Sequence, residues 1–282
     1  MEKIAVLGLG LIGGSLGLAL RKAGVAKNIA GYDSNPDVTR HALARGAITH
    51  LCHTGEEAVQ QADMVVLATP ILALPALLER IAPVLKPGAL VTDTASTKAQ
   101  VLTWAQTLLP ANVVFVGGHP MAGREHSGIE AAEEKLFEGC SYCLTPTMET
   151  PPEAIAHLSA IVMQLGAHPF VLDAERHDRL VAGISHLPFL LSSTLVQVLA
   201  REEDWPEMMN LAAGGFRDMS RLAAGSPTMY RDICLTNKQA ILSWLDALAW
   251  QLERVRSLIA ISDDALEPYF AQAKQVREAA YN

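Results

Sequence analysis

Basic charge is in short supply: 22 Lys and Arg stand against 30 Asp and Glu, a formal net charge of −8. An acidic excess of that size repels nucleic acid and anionic membranes, and no Lys/Arg-rich cluster offsets it, so neither is an expected partner. It does not exclude an anionic substrate, because a few arginines inside a cleft override the global charge. No uninterrupted apolar run of 18 or more residues stands out; stretches such as Met64–Ala68 are strand-sized, and no membrane-spanning segment is expected. A strand pattern begins at Ile4 with no charged and apolar leader ahead of it, which makes the cytoplasm the expected compartment. Cysteine is sparse: Cys52, Cys140, Cys143 and Cys234. Cys140 and Cys143 form a C-x-x-C, but no second ligand pair follows, so no metal is expected. Cys143 also lies in an apparent strand, away from the helix start that a redox pair prefers.

What the chain has in quantity is apolar residues, half of its 282, enough to build two ordinary domains. Strand patterns at Lys3–Leu7, Asn28–Tyr32, Met64–Ala68, Ala89–Thr92, Val113–Val116, Ser141–Leu144 and His168–Leu172 alternate with helical ones. Short apolar strands separated by helices predict an α/β domain over residues 1–172, a mostly parallel sheet covered on both faces. From Asp173 the alternation stops, and residues 173–282 are expected to form an all-helical domain. The segment Leu187–Leu199 is apolar all round, the mark of a buried helix. Such helices in a small domain predict burial against a second copy, hence a homodimer.

Gly8-Leu9-Gly10-Leu11-Ile12-Gly13 is a G-x-G-x-x-G placed between an apolar strand and a helix. Gly8 allows the tight turn, Gly10 lets a pyrophosphate approach the backbone, and Gly13 lets helix and strand pack closely. The free N–H groups at Leu11 and Ile12 open the helix toward the phosphates. Asp33 ends the second strand 20 residues after Gly13, where a carboxylate accepts from ribose hydroxyls and repels a 2′-phosphate. No arginine follows directly in Ser34-Asn35-Pro36, so NAD is favoured, with NADP open. Asp33 could instead serve only as a cap for the helix that begins near Pro36.

Three segments end strands with polar or special residues: Thr69-Pro70, Asp93 to Lys98 (which includes Ser96), and Gly117 to Gly123. Ligands of open α/β sheets lie at such strand ends. A histidine held between Gly-Gly and Pro, His119, is either a general base or a turn residue bonded to backbone. Arg217 and Arg221 are four residues apart, on one face of a helix that opens at Gly214-Gly215.

Taken together, G-L-G-L-I-G-G-S-L, D-x-x-S-x-K, G-G-H-P-M-A-G, H-D-R-x-x-A-x-x-S-H-L-P and G-F-R-D-x-S-R, in this order, resemble the prephenate/arogenate dehydrogenases of tyrosine biosynthesis. The resemblance implies NAD(P)-dependent oxidative decarboxylation of a cyclohexadienyl substrate, with His119 taking the ring hydroxyl proton and Ser96 orienting it. It implies that Arg221 holds a substrate carboxylate, with Asp218 and Glu125 as its acidic partners. Arg217, His186, Gly214 and Tyr230 complete the candidate substrate set; Thr69, Pro70 and Ser96 join the cofactor set. Two positions depart from the family pattern: Phe189 follows S-H-L-P where many members carry histidine, and Tyr230 stands where many carry tryptophan. The competing expectations are a β-hydroxyacid dehydrogenase or imine reductase, and a non-catalytic NAD(H) sensor. The first lacks G-G-H-P-M-A-G, and the second needs no base.

Overall fold

A computed structural model describes residues 1–123, 127–261 and 264–281 of the chain. Among these, one sheet contains β1 (Lys3–Leu7), β2 (Asn28–Tyr32), β3 (His50–Leu51), β4 (Met64–Leu67), β5 (Leu90–Asp93), β6 (Val114–Pro120), β7 (Ser141–Thr145) and β8 (His168–Val171). The spatial order is β3-β2-β1-β4-β5-β6-β7-β8, parallel throughout except between β6 and β7. Strands run both ways from the β1–β4 pair, so a crevice opens there beyond their carboxyl ends.

Alternation along β1 shows how the sheet is buried. Ile4 and Val6 face one apolar layer, where α1 (Leu11–Lys22), α2 (Pro36–Ala44) and, from later in the chain, the helix Pro152–Gln164 contribute Leu16, Leu20, Ala42 and Ile161. Ala5 and Leu7 face the other, built from α3 (Gly55–Val59), α4 (Leu74–Ile81) and α5 (Ala99–Leu108). Each leucine or isoleucine so buried contributes about 1.5–3 kcal/mol. The helix Pro152–Gln164 is α6.

The helical part comprises α7 (Ala174–Val181), α8 (Leu187–Leu199), α9 (Trp205–Leu211), α10 (Gly214–Ser220), α11 (Pro227–Thr236), α12 (Lys238–Ala260) and α13 (Leu266–Tyr281). Between α7 and α8 the helix continues without a break through Pro188. It widens into a π-helical turn, Ala182–His186, with Leu187 N–H bonding back five residues to the Ala182 carbonyl. A wider turn accommodates proline, which has no N–H to give and whose ring crowds the preceding carbonyls. Trp244 supports the turn: its Nε1 donates to the Arg179 carbonyl at 3.0 Å, and its indole lies against Gly183 so closely that a Cβ there would meet it at 3.0 Å.

The structure adds to the sequence reading or differs from it at several further points. The two-residue edge strand β3 and the five-residue α3 carry too little pattern to announce themselves. Strand β6 does not end at Val116 but continues through Gly117, Gly118, His119 and Pro120 to pair with β7. Helix α8 is apolar all round, yet of its residues only Phe189 and Ser192 are buried in the single chain. By length and apolar composition alone, the continuous run Ala174–Leu199 could cross a membrane, contrary to the expectation of no such segment. That run nevertheless carries His177, Asp178 and His186, buried and hydrogen-bonded to other parts of the fold.

Candidate active site

The glycine-rich turn has the shape its sequence demands. Gly8 has φ +89°, and a Cβ there would lie 2.5 Å from the Ala68 carbonyl of the neighbouring strand end. A Cβ on Gly13 would overlap the Gly8 carbonyl. A Cβ on Gly10 would meet nothing within 4 Å, so the space above it is open. Helix α1 starts there without a side-chain cap, leaving its first N–H groups to a ligand. Beside it, the buried Thr69 Oγ1 has no hydrogen-bond partner. These features fit a dinucleotide pyrophosphate.

Asp33 stands at the end of β2 and ties the turn together: Oδ2 accepts from Leu9 N–H and Oδ1 from Asn35 N–H, each at 2.9 Å. It does not cap α2, which is capped by Asn35. Asp33 lines a small groove of about 120 Å³ with Pro36, Thr39, Leu51 and Arg40. Arg40 is a cation that the absence of arginine directly after Asp33 does not reveal; it is paired with Asp37.

His119 lies at the far end of β6, 9% exposed, with Cys143 opposite it on β7. The two glycines before it are strand residues, required by close approach and not by a turn. A Cβ on Gly117 would meet Thr145 Oγ1 at 2.2 Å, and one on Gly118 the Asp93 carbonyl at 2.5 Å. Gly118 is held at both ends: its N–H donates to Asp93 Oδ1 at 3.0 Å, and its carbonyl accepts from Lys98 Nζ at 2.7 Å. Lys98, fully buried, is also ion-paired with Asp93. Burial lowers the Lys98 pKa and its neighbouring carboxylate opposes that shift.

The helical part closes over this point. His119 Nδ1 lies 2.8 Å from His177 Nε2, and His177 Nδ1 lies 2.8 Å from Asp178 Oδ1. Asp178 reaches across to cap α5, accepting from Lys98 N–H at 2.7 Å and Ala99 N–H at 3.0 Å. Asn237 Nδ2 donates to the Asp178 carbonyl at 2.8 Å and lies 3.3 Å from His186 Nδ1. Burial pushes the His119 pKa well below its ordinary value, and His177, Lys98 and His186 push in the same direction. His186 is lowered to about 4, also mainly by burial, with Asp178 opposing.

The structure therefore brings His119, His186, His177, Asp178 and Lys98 into one buried cluster. Ser96 is half-buried in the same strand-end loop, but no hydrogen bond joins it to His119 among the described residues; the partner of His119 is His177. Arg217, Asp218 and Gly214 are exposed on α10, and Arg221 is exposed in the short 3-10 turn that follows. Asp218, exposed on α10, forms no ion pair with either arginine among the described residues. Glu125 falls outside the described residues. Tyr230 is half-buried and stacks on Phe189. His177, Asp178 and Lys98 are not among the site residues expected from the sequence; the adjacent His-Asp pair was the available signal.

Comparison with known proteins adds the following. Residues 16–171 match the family "Prephenate dehydrogenase, nucleotide-binding domain", and residues 173–275 match "Prephenate dehydrogenase, dimerization domain". The prephenate dehydrogenase of Bacillus subtilis (strain 168) is 38% identical over 280 residues, covering 98% of this chain and 76% of that protein. The crystal structure of Synechocystis arogenate dehydrogenase superposes with a TM-score of 0.85 at 35% identity, covering 99% and 100% of the two chains. Prephenate dehydrogenase from A. aeolicus, in complex with hydroxyphenyl propionate and NAD+, gives a TM-score of 0.92 at 30% identity, covering 99% and 98%.

Proposed function

This chain belongs to the prephenate dehydrogenase family, and we propose that its own residues carry out the family reaction in the roles set out below. It is a nicotinamide-dependent oxidoreductase that oxidatively decarboxylates a cyclohexadienyl substrate, prephenate or arogenate, in tyrosine biosynthesis. The observation that carries the assignment of roles is the setting of His119. It is buried and kept neutral by that burial, and one ring nitrogen is engaged by His177. Its Nε2 has no protein partner among the described residues, at a strand end of the same sheet that presents the glycine-rich turn.

His119 accepts the ring hydroxyl proton at Nε2. The bound nicotinamide supplies the hydride acceptor, and loss of carbon dioxide makes the ring aromatic. Aromatisation supplies much of the driving force, so the protein's contribution is positioning and a base. Arg221 holds a substrate carboxylate, with Arg217 four residues earlier, on α10, as a second cation; a guanidinium fork suits a carboxylate better than an ammonium does. Ser96, half-buried in the loop after β5, would help hold the substrate hydroxyl and the nicotinamide. The glycine-rich turn, Thr69 and Pro70 hold the dinucleotide.

NAD is the preferred cofactor in this account, because the Asp33 carboxylate repels a 2′-phosphate. Residues 1–172 form the cofactor domain, and residues 173–282 form the domain that closes the site and pairs with a second copy. Support for the pairing comes from the exposed apolar side chains of the helical part, among them Trp250, Leu252, Ile259 and Phe270. The β-hydroxyacid dehydrogenase and sensor alternatives are not favoured by the family match. The test is turnover followed at the NADH absorbance band. Prephenate or arogenate should be oxidised and 3-hydroxy acids should not; the reverse pattern would overturn the assignment.

A further inference from the structure

We propose that His177, backed by Asp178, fixes which nitrogen of His119 carries the proton, so that the base is one end of a polarised His119–His177–Asp178 chain. This rests on the reading of His119 as the base. His177 does not reach the open nitrogen of His119; it is a positioning residue.

The direction of the chain follows from its fixed end. Backbone N–H groups only donate, so both Asp178 oxygens are committed as acceptors, Oδ1 to Lys98 N–H and Oδ2 to Ala99 N–H. Against the same Oδ1 stands His177 Nδ1 at 2.8 Å, and toward a carboxylate oxygen that nitrogen must be the donor. A neutral His177 then carries its only proton on Nδ1 and presents a bare Nε2. At 2.8 Å from that lone pair, His119 Nδ1 must donate. The single proton of neutral His119 is thereby placed on Nδ1, and Nε2 is left bare.

The opposite polarity has a chemical consequence. If His177 carried protons on both nitrogens, its Nε2–H would point at His119 Nδ1 and move the proton of His119 to Nε2. The open nitrogen would then be a donor and could not accept from a hydroxyl. Among the described residues, Lys98 and His186 also act on His119 electrostatically, and Cys143 lies opposite it on β7. None of these is hydrogen-bonded to its ring among the described residues, so none of them sets the tautomer. In the proposed polarity, the substrate O–H bond breaks, its proton joins His119 Nε2, and the resulting imidazolium keeps its Nδ1–H on the His177 lone pair. The cation is held by a hydrogen bond already in place, with Asp178 behind it; an orienting acid plays this part for catalytic histidines in other folds.

The wild-type enzyme is tested first, by NMR of protein with 15N-labelled histidine, the His119 ring being assigned by its absence in His119→Asn. His119 should show a protonated Nδ1 and a bare Nε2, and His177 the same pattern. A His119 protonated on Nε2, or a His177 protonated on both nitrogens, would overturn the proposal without any variant having to fold. The second arm compares His177→Leu with His177→Gln. Leucine offers no acceptor and should lower kcat by about 10²-fold or more with KM changed by no more than about 3-fold. Glutamine can present a carbonyl oxygen near the Nε2 position and should recover part of the loss. If His177→Leu keeps its kcat while His119→Asn loses it, this inference fails and the base assignment stands. If His119→Asn itself keeps its kcat, the base assignment fails.

Discussion

Phe189 stacks face to face on Tyr230, ring centroids 3.2 Å apart and planes within 6° of parallel. The pair joins α8 to α11 beneath Gly225, where a Cβ would touch both rings, four residues after Arg221. These are the two positions that depart from the family pattern, and here they form one stacked aromatic pair with no polar group at 189. Prephenate ends in a keto acid and arogenate in an ammonium acid, and a histidine at 189 would add a donor for the keto group that Phe189 lacks. Phe189→His should therefore raise the ratio of kcat/KM for prephenate to that for arogenate. A hydrogen bond so gained is worth about 1–3 kcal/mol, roughly 5- to 150-fold. A ratio that stays put or moves toward arogenate would show that residue 189 does not face the substrate side chain.

Arg221→Ala should raise the substrate KM by on the order of 10- to 100-fold and leave NAD binding nearly unchanged, the worth of a charge-assisted hydrogen bond. Arg221→Lys should restore little, because an ammonium cannot reproduce the fork. An unchanged KM in Arg221→Ala would transfer the role to Arg217.

Asp33 is bonded to the backbone of the glycine-rich turn and to Asn35, and Arg40 lines the same groove. Replacing Asp33 by serine together with Ser34→Arg removes the repelling carboxylate and adds a phosphate partner. The double variant should shift preference toward NADP. A wild type that already prefers NADP would contradict the role given to Asp33.

Buried histidines also set a pH window. His119 and His186 have folded-state pKa values depressed by burial below 6.5, His186 to about 4. Below pH 6.5 the unfolded chain takes up protons that the folded chain refuses. Stability is thus full above that pH and falls as pH drops toward 4, by at most about 1.4 kcal/mol per pH unit for each histidine. Urea melts between pH 7 and 4 should show this decline. A flat profile between pH 6.5 and 5 would mean that neither histidine is held neutral.

Much of this was legible in the sequence where one local pattern decides the outcome. The strands from Lys3–Leu7 to His168–Val171 are apolar runs between turn residues, and the glycine-rich turn carries its own steric logic. What escaped depends on tertiary contact. Gly117 and Gly118 read as a turn, but they are strand residues squeezed by Thr145 and Asp93. Lys98 reads as a helix-end cation, but Asp93 and the Gly118 carbonyl draw it fully inside. His177 and Asp178 belong to the site only because α7 packs onto the start of α5, a contact between residues some 80 positions apart in the chain. The π turn before Pro188 has no periodic signature, since proline predicts an irregularity without saying which kind.

The central claim is that His119 is the base, and one measurement bears on it most directly: steady-state oxidation of prephenate by His119→Asn, alongside its NAD affinity and thermal melt. The variant should fold and bind NAD like the wild type and lose about 10²- to 10⁴-fold in kcat, the usual worth of a positioned base. A folded variant that binds NAD and retains near-normal kcat would contradict the account.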